Sequence, residues 1–578
     1  MRGRYLVSVP LAERPAAPVG QATDCIRELI TSVEHPRVRV LTGRALRRIA
    51  ADGGAILGVM FGRGEKRPTD ELLDYDWTSI ARTHGRLLLE GYWGSYVAIV
   101  VTPSGVAIVR APFGDLGCCF KVSGDTLYLA SDMPLLLAAC GSRRTIAVDR
   151  VARHIAWPDW RFGETCLDGI DELRGGERLT IMAGVISRDP LWSPWNFIGP
   201  EREIGDNAEA ACSLRETIDL TVAARAAICR RPLALLSGGL DSSVVASSLR
   251  SAGADLTCLN FVAADAASDE TGYASCVAAA LDCDLRIERL TSRYIDVQKS
   301  GAAHLPYPVH RCFTQAQDAI AQTVAGELGA DAVFDGGGGD NVFFASRSVA
   351  IVADCLLRGG FGRKFRSAVR SLGDLADVGL PRLTAMAVHR AWWRTAAPRL
   401  RASDGFLNRA WRAEVRNWPP HDWFQPPIQA LPGRAAHVAL LTPAQNMVEA
   451  VNAGAPYEAI SPLASQPVIE AALRVASWLW IAPGHDRACV RAAFRDRLPS
   501  LILDRRSKGT PSTFVAQIFE SHRKTIREML LGGWLAENRL VDNAALAQAL
   551  AGDAPVRDLG FAALMTLLDV EAWARAQS

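Results

Sequence analysis

A chain of 578 residues is too long for one hydrophobic core, so two or more domains are expected. With 49% hydrophobic residues, 22% charged residues and a formal net charge of +2, the composition is that of an ordinary soluble globular protein and excludes a general affinity for nucleic acid. No run approaches the roughly eighteen apolar residues needed to cross a bilayer, and the opening Met1-Arg2-Gly3-Arg4, with its short apolar run broken at Glu13 and Arg14, has too little apolar length for a signal peptide. Thirteen scattered cysteines with no Cys-x-x-Cys pair point to reduced thiols and a cytoplasmic location. Cys118-Cys119 reads as packing rather than chemistry.

Residues 1 to about 195 are strand-rich. Segments 4–9, 54–61, 94–101, 106–110 and 126–130 are β-branched or aromatic runs bounded by Gly, Pro and Ser, with helical patterns near 22–34 and 77–90. The order Gly91-Tyr92-Trp93-Gly94, then Arg110-Ala111-Pro112-Phe113-Gly114-Asp115-Leu116-Gly117, then Ser131-Asp132 resembles the glutaminase-type domain of asparagine synthetases. The resemblance implies a two-sheet sandwich of the N-terminal-nucleophile hydrolases, acting through a cysteine directly after the initiator methionine. Position 2 is Arg2. A guanidinium offers donors and no usable nucleophilic lone pair, so this domain is expected to release no ammonia from glutamine and to serve as a platform or docking surface.

Residues 196–207 are polar and irregular and suit a linker. From 208 onward, helical patterns at 209–229, 242–251, 271–281 and 315–328 alternate with apolar strands at 233–236, 256–262, 284–289 and 331–335. That alternation predicts a parallel sheet with helices on both faces and a ligand at the carboxyl ends of the strands.

The strongest motif lies at the first of these strand ends. The apolar run closing at Leu236 passes into Ser237-Gly238-Gly239-Leu240-Asp241-Ser242-Ser243 and then an apolar-periodic helix. A strand, a tight Gly-Gly turn and a helix N-terminus make a phosphate cradle, to which Ser237, Ser242 and Ser243 add hydroxyls. A carboxylate beside a polyphosphate, as Asp241 would be, makes sense where Mg²⁺ bridges the two. The stretch lacks the Gly-Lys-Ser/Thr ending of a Walker loop. It resembles the pyrophosphate loop of the ATP pyrophosphatase superfamily, which implies splitting of ATP into AMP and pyrophosphate. The strand at 256–262 should run beside it, with its end at Phe261 facing the adenine. After it, Asp269 and Glu270 either cap the next helix or orient the loop over the nucleotide.

A second signal is Asp335-Gly336-Gly337-Gly338-Gly339-Asp340. Four consecutive glycines cost chain entropy and suit a backbone wrapped closely around a ligand, with Asp340 as a second cation ligand opposite Asp241. In the synthetase family the stretch reads roughly Ser-Gly-x-Gly-x-Asp-Glu, and the resemblance matches Gly336 and Asp340. Gly337 stands where asparagine synthetases carry an acid and β-lactam synthetases a tyrosine, and is expected to leave room for a bulky acyl donor and acceptor. His310, in Leu305-Pro306-Tyr307-Pro308-Val309-His310, resembles the substrate-side loop and is a candidate amine-proton acceptor or a structural histidine.

Between Arg358 and Arg416 thirteen Lys and Arg face four acids, a balance of +9, with Trp392, Trp393, Trp411 and Trp418 interleaved. This basic insertion, about 356–418, reads as a solvated amphipathic face or as a dock for a peptide or protein. The tract of Glu458-Ala459-Ile460-Ser461-Pro462-Leu463, Gly484 to Arg491, and Arg505-Arg506-Ser507-Lys508-Gly509 follows the family's C-terminal segment. The resemblance places Glu458 among the catalytic residues and makes Lys508 the lysine that reaches the reacting phosphate and carboxylate, where a fixed cation stabilises developing negative charge.

Together these features imply an α/β chain: a sandwich domain at 1–195, a linker at 196–207 and an ATP pyrophosphatase domain at 208–578, using ATP and Mg²⁺ to join a carboxylate to an amine through an acyl-adenylate. The lost cysteine, the four-glycine loop, the length and the basic insertion most resemble lasso peptide cyclases. That resemblance implies a precursor peptide whose Asp or Glu side chain is adenylated and attacked by its own N-terminal amine, with a leader peptidase and a leader-recognition protein as partners. The alternative is an ammonia-dependent asparagine synthetase or another small-molecule amide or lactam synthetase.

Overall fold

The structure, a computed structural model, describes residues 3–12, 24–51, 53–262, 269–399, 401–449, 455–506, 512–551 and 559–577. Arg2 and Lys508 lie outside the described residues.

The strand-rich half folds as two antiparallel six-stranded sheets. One runs Asp171–Glu172, Cys119–Ser123, Thr126–Ala130, Tyr5–Pro10, Val38–Thr42, Ile30–His35; the other runs Val185–Pro190, Glu177–Met182, Gly105–Arg110, Tyr92–Thr102, Gly54–Gly62, Arg48–Ala51. Alternate side chains Tyr5, Val7 and Val9 of the first sheet meet Leu57, Val97, Ile99 and Ile108 of the second in one dry layer, as the two-residue period of a strand requires. The helix expected near 22–34 is corrected: only Asp24–Arg27 is helical, and Ile30–His35 joins the sheet. Its β-branched Ile30, Thr31 and Val33 fit a pleated surface better than a helix. The helix expected at 77–90 is two helices, Asp74–Arg82 and Arg86–Gly91, parted where His84 and Gly85 take positive φ. Cys118 and Cys119 are buried, and burial raises both thiols, Cys118 to about 11. The expected linker is not an irregular tether. It contains the short helical turns Pro194–Phe197 and Pro200–Arg202, and Ile204 bridges to Val475.

The second half is built on a parallel sheet. Its elements in chain order are α1 (Asn207–Ala226), β1 (Pro232–Leu235), α2 (Leu240–Ser251), β2 (Thr257–Val262), α3 (Thr271–Leu281), β3 (Asp284–Arg289), α4 (Gln315–Leu328), β4 (Ala332–Phe334), α5 (Gly339–Val342) and β5 (Glu458–Ile460). Spatial order is β3-β2-β1-β4-β5, all neighbours parallel. The edge strand β5 escaped the sequence reading because its three residues open on a charged Glu458 and show no apolar run, unlike the equally short β4. The chain leaves β1 toward β2 and β3, then returns to its other side at β4. A crevice therefore opens between the carboxyl ends of β1 and β4.

Between β4 and β5 the basic insertion forms α6 (Ala350–Gly359), α7 (Arg363–Ala376) and α8 (Leu380–Trp392). The buried side chains of α7, Phe365, Ala368, Val369 and Leu372, recur at helical spacing, which leaves its basic residues on the outer face. No described helix is long and apolar enough to cross a membrane.

Two buried carboxylates from the second half reach into arginines of the first. Glu449 accepts from Arg110 and from Arg161 (2.5 Å), and both guanidinia also hold Glu172 at 2.8 Å. Glu470 accepts from Arg63 (2.5 Å) and from the Trp192 indole (2.9 Å).

Candidate active site

The crevice is formed by two loops that leave adjacent central strands side by side. In register, Ala234 of β1 faces Phe334 of β4, so Leu236-Ser237-Gly238-Gly239 and Asp335-Gly336-Gly337-Gly338 emerge together. The first loop is pinned at its base. The Leu236 amide donates to the Leu259 carbonyl (2.8 Å), and Asn260 Nδ2 donates to the Leu236 carbonyl (2.7 Å). Within it, the Ser237 and Ser242 hydroxyls lie 3.1 Å apart, the Gly239 amide donates to Ser237 Oγ (3.3 Å), and Ser243 Oγ donates to the Gly239 carbonyl (2.7 Å). Gly238 has φ +70°, and a Cβ there would sit 2.5 Å from the Tyr273 side chain. Only glycine makes this turn cheaply.

The loops touch backbone to backbone. A Cβ on Gly336 would lie 2.6 Å from the Ser242 amide nitrogen, and one on Gly339 would lie 2.4 Å from Asp241 Cγ. Two of the four glycines thus serve the approach of one loop to the other. The expectation about Gly337 is corrected: a Cβ there meets Asp335 Oδ1 at 2.8 Å and Ser461 Oγ at 3.0 Å, so the space is already filled. Asp335 accepts from Ser461 Oγ (2.6 Å) and from the Gly337 amide (2.8 Å), and burial raises its pKa despite those bonds.

Asp241 and Asp340, ninety-nine positions apart in sequence, converge on a single nitrogen. Arg487 Nη1 donates to Asp241 Oδ2 (2.9 Å) and to Asp340 Oδ1, and its Nε donates to Asp486 Oδ1 (3.2 Å). Burial lowers the Arg487 pKa, but Asp241, Asp340 and Asp486 more than offset it, so the net shift is upward and the side chain stays charged. Arg487 itself sits in the left-handed region, φ +51°.

Arg505 clamps the first loop from above. It donates to the Gly238 carbonyl (3.1 Å) and to Glu270, and lies 3.9 Å over the Tyr273 ring. The acidic pair therefore divides its work. Asp269 accepts from the Thr271 amide at the start of α3 (2.9 Å), while Glu270 holds Arg505.

A cavity of about 370 Å³ opens at the N-terminus of α2, lined by Gly239, Leu240 and Asp340 and by Arg347, Arg487, Arg491, Arg505 and Arg506. Five guanidinia, helix amides and the positive end of a helix dipole outnumber the carboxylates Asp340 and Asp486 around this cavity, a lining that suits a multiply charged anion. Among the described residues no group of three or more His, Cys, Asp or Glu forms a metal site by itself, but two carboxylates beside an anion cavity fit Mg²⁺, which takes one or two carboxylates together with phosphate oxygens.

Other expected residues are placed differently. Phe261 lies two residues beyond Leu259, the last partner of β1, on the part of β2 that overhangs the first loop. Glu458 is level with Asp331 and Ala332 at the amino end of the sheet, its amide bonded to the Asp331 carbonyl (2.9 Å), away from the crevice end where Ile460 pairs with Phe334. His310 is buried beside α4, with Nε2 3.3 Å from Asp318 Oδ2 and 3.0 Å from Thr314 Oγ1; none of these contacts reaches the phosphate-type loop. Burial, with the nearby charges of Asp318 and Asp335, pushes the Tyr457 hydroxyl up to about 12.

Sequence reasoning marked the tract from Gly484 to Arg506 without assigning Arg487, Arg491 or Arg505 a task. The available signal was its density of arginines: Arg487, Arg491, Arg495, Arg497, Arg505 and Arg506 within twenty residues.

Residues 213–575 match the sequence profile of the asparagine synthase family. No curated protein matches the chain. Two solved structures share 10% identity over 50% of the chain at a TM-score of 0.19: an allosteric regulatory enzyme of purine biosynthesis, 75% of which is covered, and a glutamine phosphoribosylpyrophosphate amidotransferase from B. subtilis complexed with ADP and GMP, 60% of which is covered. Likenesses of that size decide nothing about this chain.

Proposed function

The chain belongs to the asparagine synthase family and is an ATP-dependent carbon–nitrogen ligase, and from that premise we propose that it cyclises a peptide. In this reading an Asp or Glu side-chain carboxylate of a precursor peptide attacks the α-phosphorus of ATP, pyrophosphate leaves, and the peptide's N-terminal amine then attacks the acyl carbon and expels AMP. The observation that carries the adenylation half is the convergence of Asp241 and Asp340 on one cationic position beside the arginine-lined cavity.

Asp241 and Asp340 would hold Mg²⁺, which neutralises polyphosphate charge, and Arg487 would yield those oxygens to it. The amides at Gly239 and Leu240, with Arg491, Arg505 and Arg506, receive the β- and γ-phosphates and stabilise the departing pyrophosphate. Leu236, Ser237, Ser242, Ser243 and Gly336 shape the backbone cradle, and Phe261 covers the adenine. Lys508 supplies a cation to the α-phosphate and to the oxyanion of amine attack. Glu458, at the amino end of the sheet, and His310, buried against Asp318 and Thr314, are given no step in this reading, and the amine proton leaves to solvent.

The peptide half rests on Arg2 standing at the position that the resemblance assigns to the glutamine-cleaving cysteine. The amine then comes from the substrate, and an α-amine with a pKa near 8 needs little base assistance once positioned. A leader peptidase and a leader-recognition protein would supply the free N-terminus.

A pyrophosphate-exchange assay tests this with aspartate plus ammonia, a leaderless peptide with an internal acidic residue, or neither. Peptide-dependent exchange and a product lighter by one water support the cyclase. Aspartate-dependent exchange would replace it with a small-molecule synthetase.

A further inference from the structure

Six large apolar side chains stand exposed within one short stretch of the basic insertion: Leu357, Phe361, Leu380, Met386, Trp392 and Trp393. Three of them cluster. Phe361 lies in the turn between α6 and α7, Trp392 closes α8, and their ring centroids are 6.3 Å apart; Trp393 packs edge-on to Trp392 at 6.3 Å. The two tryptophans are 54% and 67% exposed and Phe361 57%, values far from those of side chains seated in a fold. The cluster is therefore at one end of the three-helix unit, where α6 stops, α7 starts and α8 stops. That end protrudes: a Cβ on Gly359 or Gly360 would meet no atom within 4 Å.

The exposed charges on the segments that carry the cluster are of one sign. Arg363, Lys364 and Arg366 on the first turns of α7, and Arg394 and Arg399 after α8, are exposed. No acidic residue occurs from Cys355 to Gly373 or from Val378 to Ser403. The three cations at the start of α7 stand where the helix dipole favours acids, so local helix stability does not explain them.

We propose that this tip docks the chain on an anionic lipid surface. Tryptophan and phenylalanine partition to the headgroup boundary, and a ring of Arg and Lys adds attraction to anionic headgroups. The exposed rings stand beside five exposed cations with no acid on the same segments, an arrangement that matches a plane of anionic headgroups. The attachment is peripheral and is independent of the crevice, whose lining includes neither tryptophan.

Co-sedimentation of the full chain with vesicles tests the inference. Phosphatidylcholine vesicles with about one third phosphatidylglycerol should bind it, pure phosphatidylcholine should not, and raising salt from about 0.05 to 0.5 M should weaken binding. Trp392→Ser/Trp393→Ser, and separately Arg363→Glu/Lys364→Glu/Arg366→Glu, should each weaken it by about tenfold or more, with unchanged circular dichroism and unchanged pyrophosphate exchange. The inference fails if anionic vesicles do not bind the wild-type chain, if both variants bind as well as wild type, or if light scattering finds a wild-type dimer that the tryptophan variant converts to monomer.

Discussion

Two clusters of buried charge in this molecule use the same chemistry to different ends. At the junction of its halves, Arg110, Arg161, Glu172 and Glu449 are each at most 9% exposed and bond chiefly to one another. At the crevice, Arg487 bonds Asp241 and Asp340 in the same manner, but Asp340 is 43% exposed and the guanidinium faces an open cavity. A closed network can only hold its partners. An ion pair that borders a cavity can exchange one partner for a ligand, and this difference separates a structural role from a functional one.

The comparison can be broken from either side. Removing a carboxylate at the open cluster should abolish turnover and leave the fold: Asp340→Ala is expected to lower pyrophosphate exchange by about three orders of magnitude or more with an unchanged melting temperature, and retained exchange would refute the metal assignment. Removing one at the closed cluster should do the reverse. Glu449→Ala leaves two buried guanidinia sharing Glu172 alone and should cost about 3–5 kcal/mol, read as a lower melting temperature with normal exchange per folded molecule.

A third experiment concerns Asp354, which is buried under the Gly433 and Arg434 amides and Ser477 Oγ, and whose pKa burial raises from 3.8 to about 6. A carboxyl with a raised folded pKa contributes stability below its unfolded value and loses it as pH rises through the folded one. Relative to wild type, Asp354→Asn should therefore gain about 2–3 kcal/mol between pH 4 and pH 7, seen as a narrowing difference in melting temperature. Smaller again, Arg505→Lys keeps the charge but loses the fork that spans Gly238 and Glu270, and should raise the KM for ATP about tenfold. Cys118→Ala, in the sandwich core, should leave exchange intact.

Much of this was legible beforehand. The strands and helices around the crevice follow from alternating apolar runs, and 284–289, 271–281 and 315–328 fall where periodicity put them. The sandwich was legible only in part. Arg48–Ala51 is only four residues long, and Val185–Pro190 is mostly exposed and carries Ser187, Arg188 and Asp189, so neither displays a sustained strand pattern. Gly337 misled for a different reason: a missing side chain was read as room, whereas Asp335 and Ser461 had folded into it.

By itself the amino-acid order determined which backbone turns were possible, because Gly238, Gly336 and Gly339 allow approaches that any Cβ would block. It also determined the family, because residues 213–575 match the asparagine synthase profile. Only the tertiary structure decided that Arg487 stands between Asp241 and Asp340, that Glu270 and Asp269 part company, and that Trp392 and Trp393 stay outside the core. Each of these depends on where distant segments of the chain meet, and distance along a sequence carries no record of that.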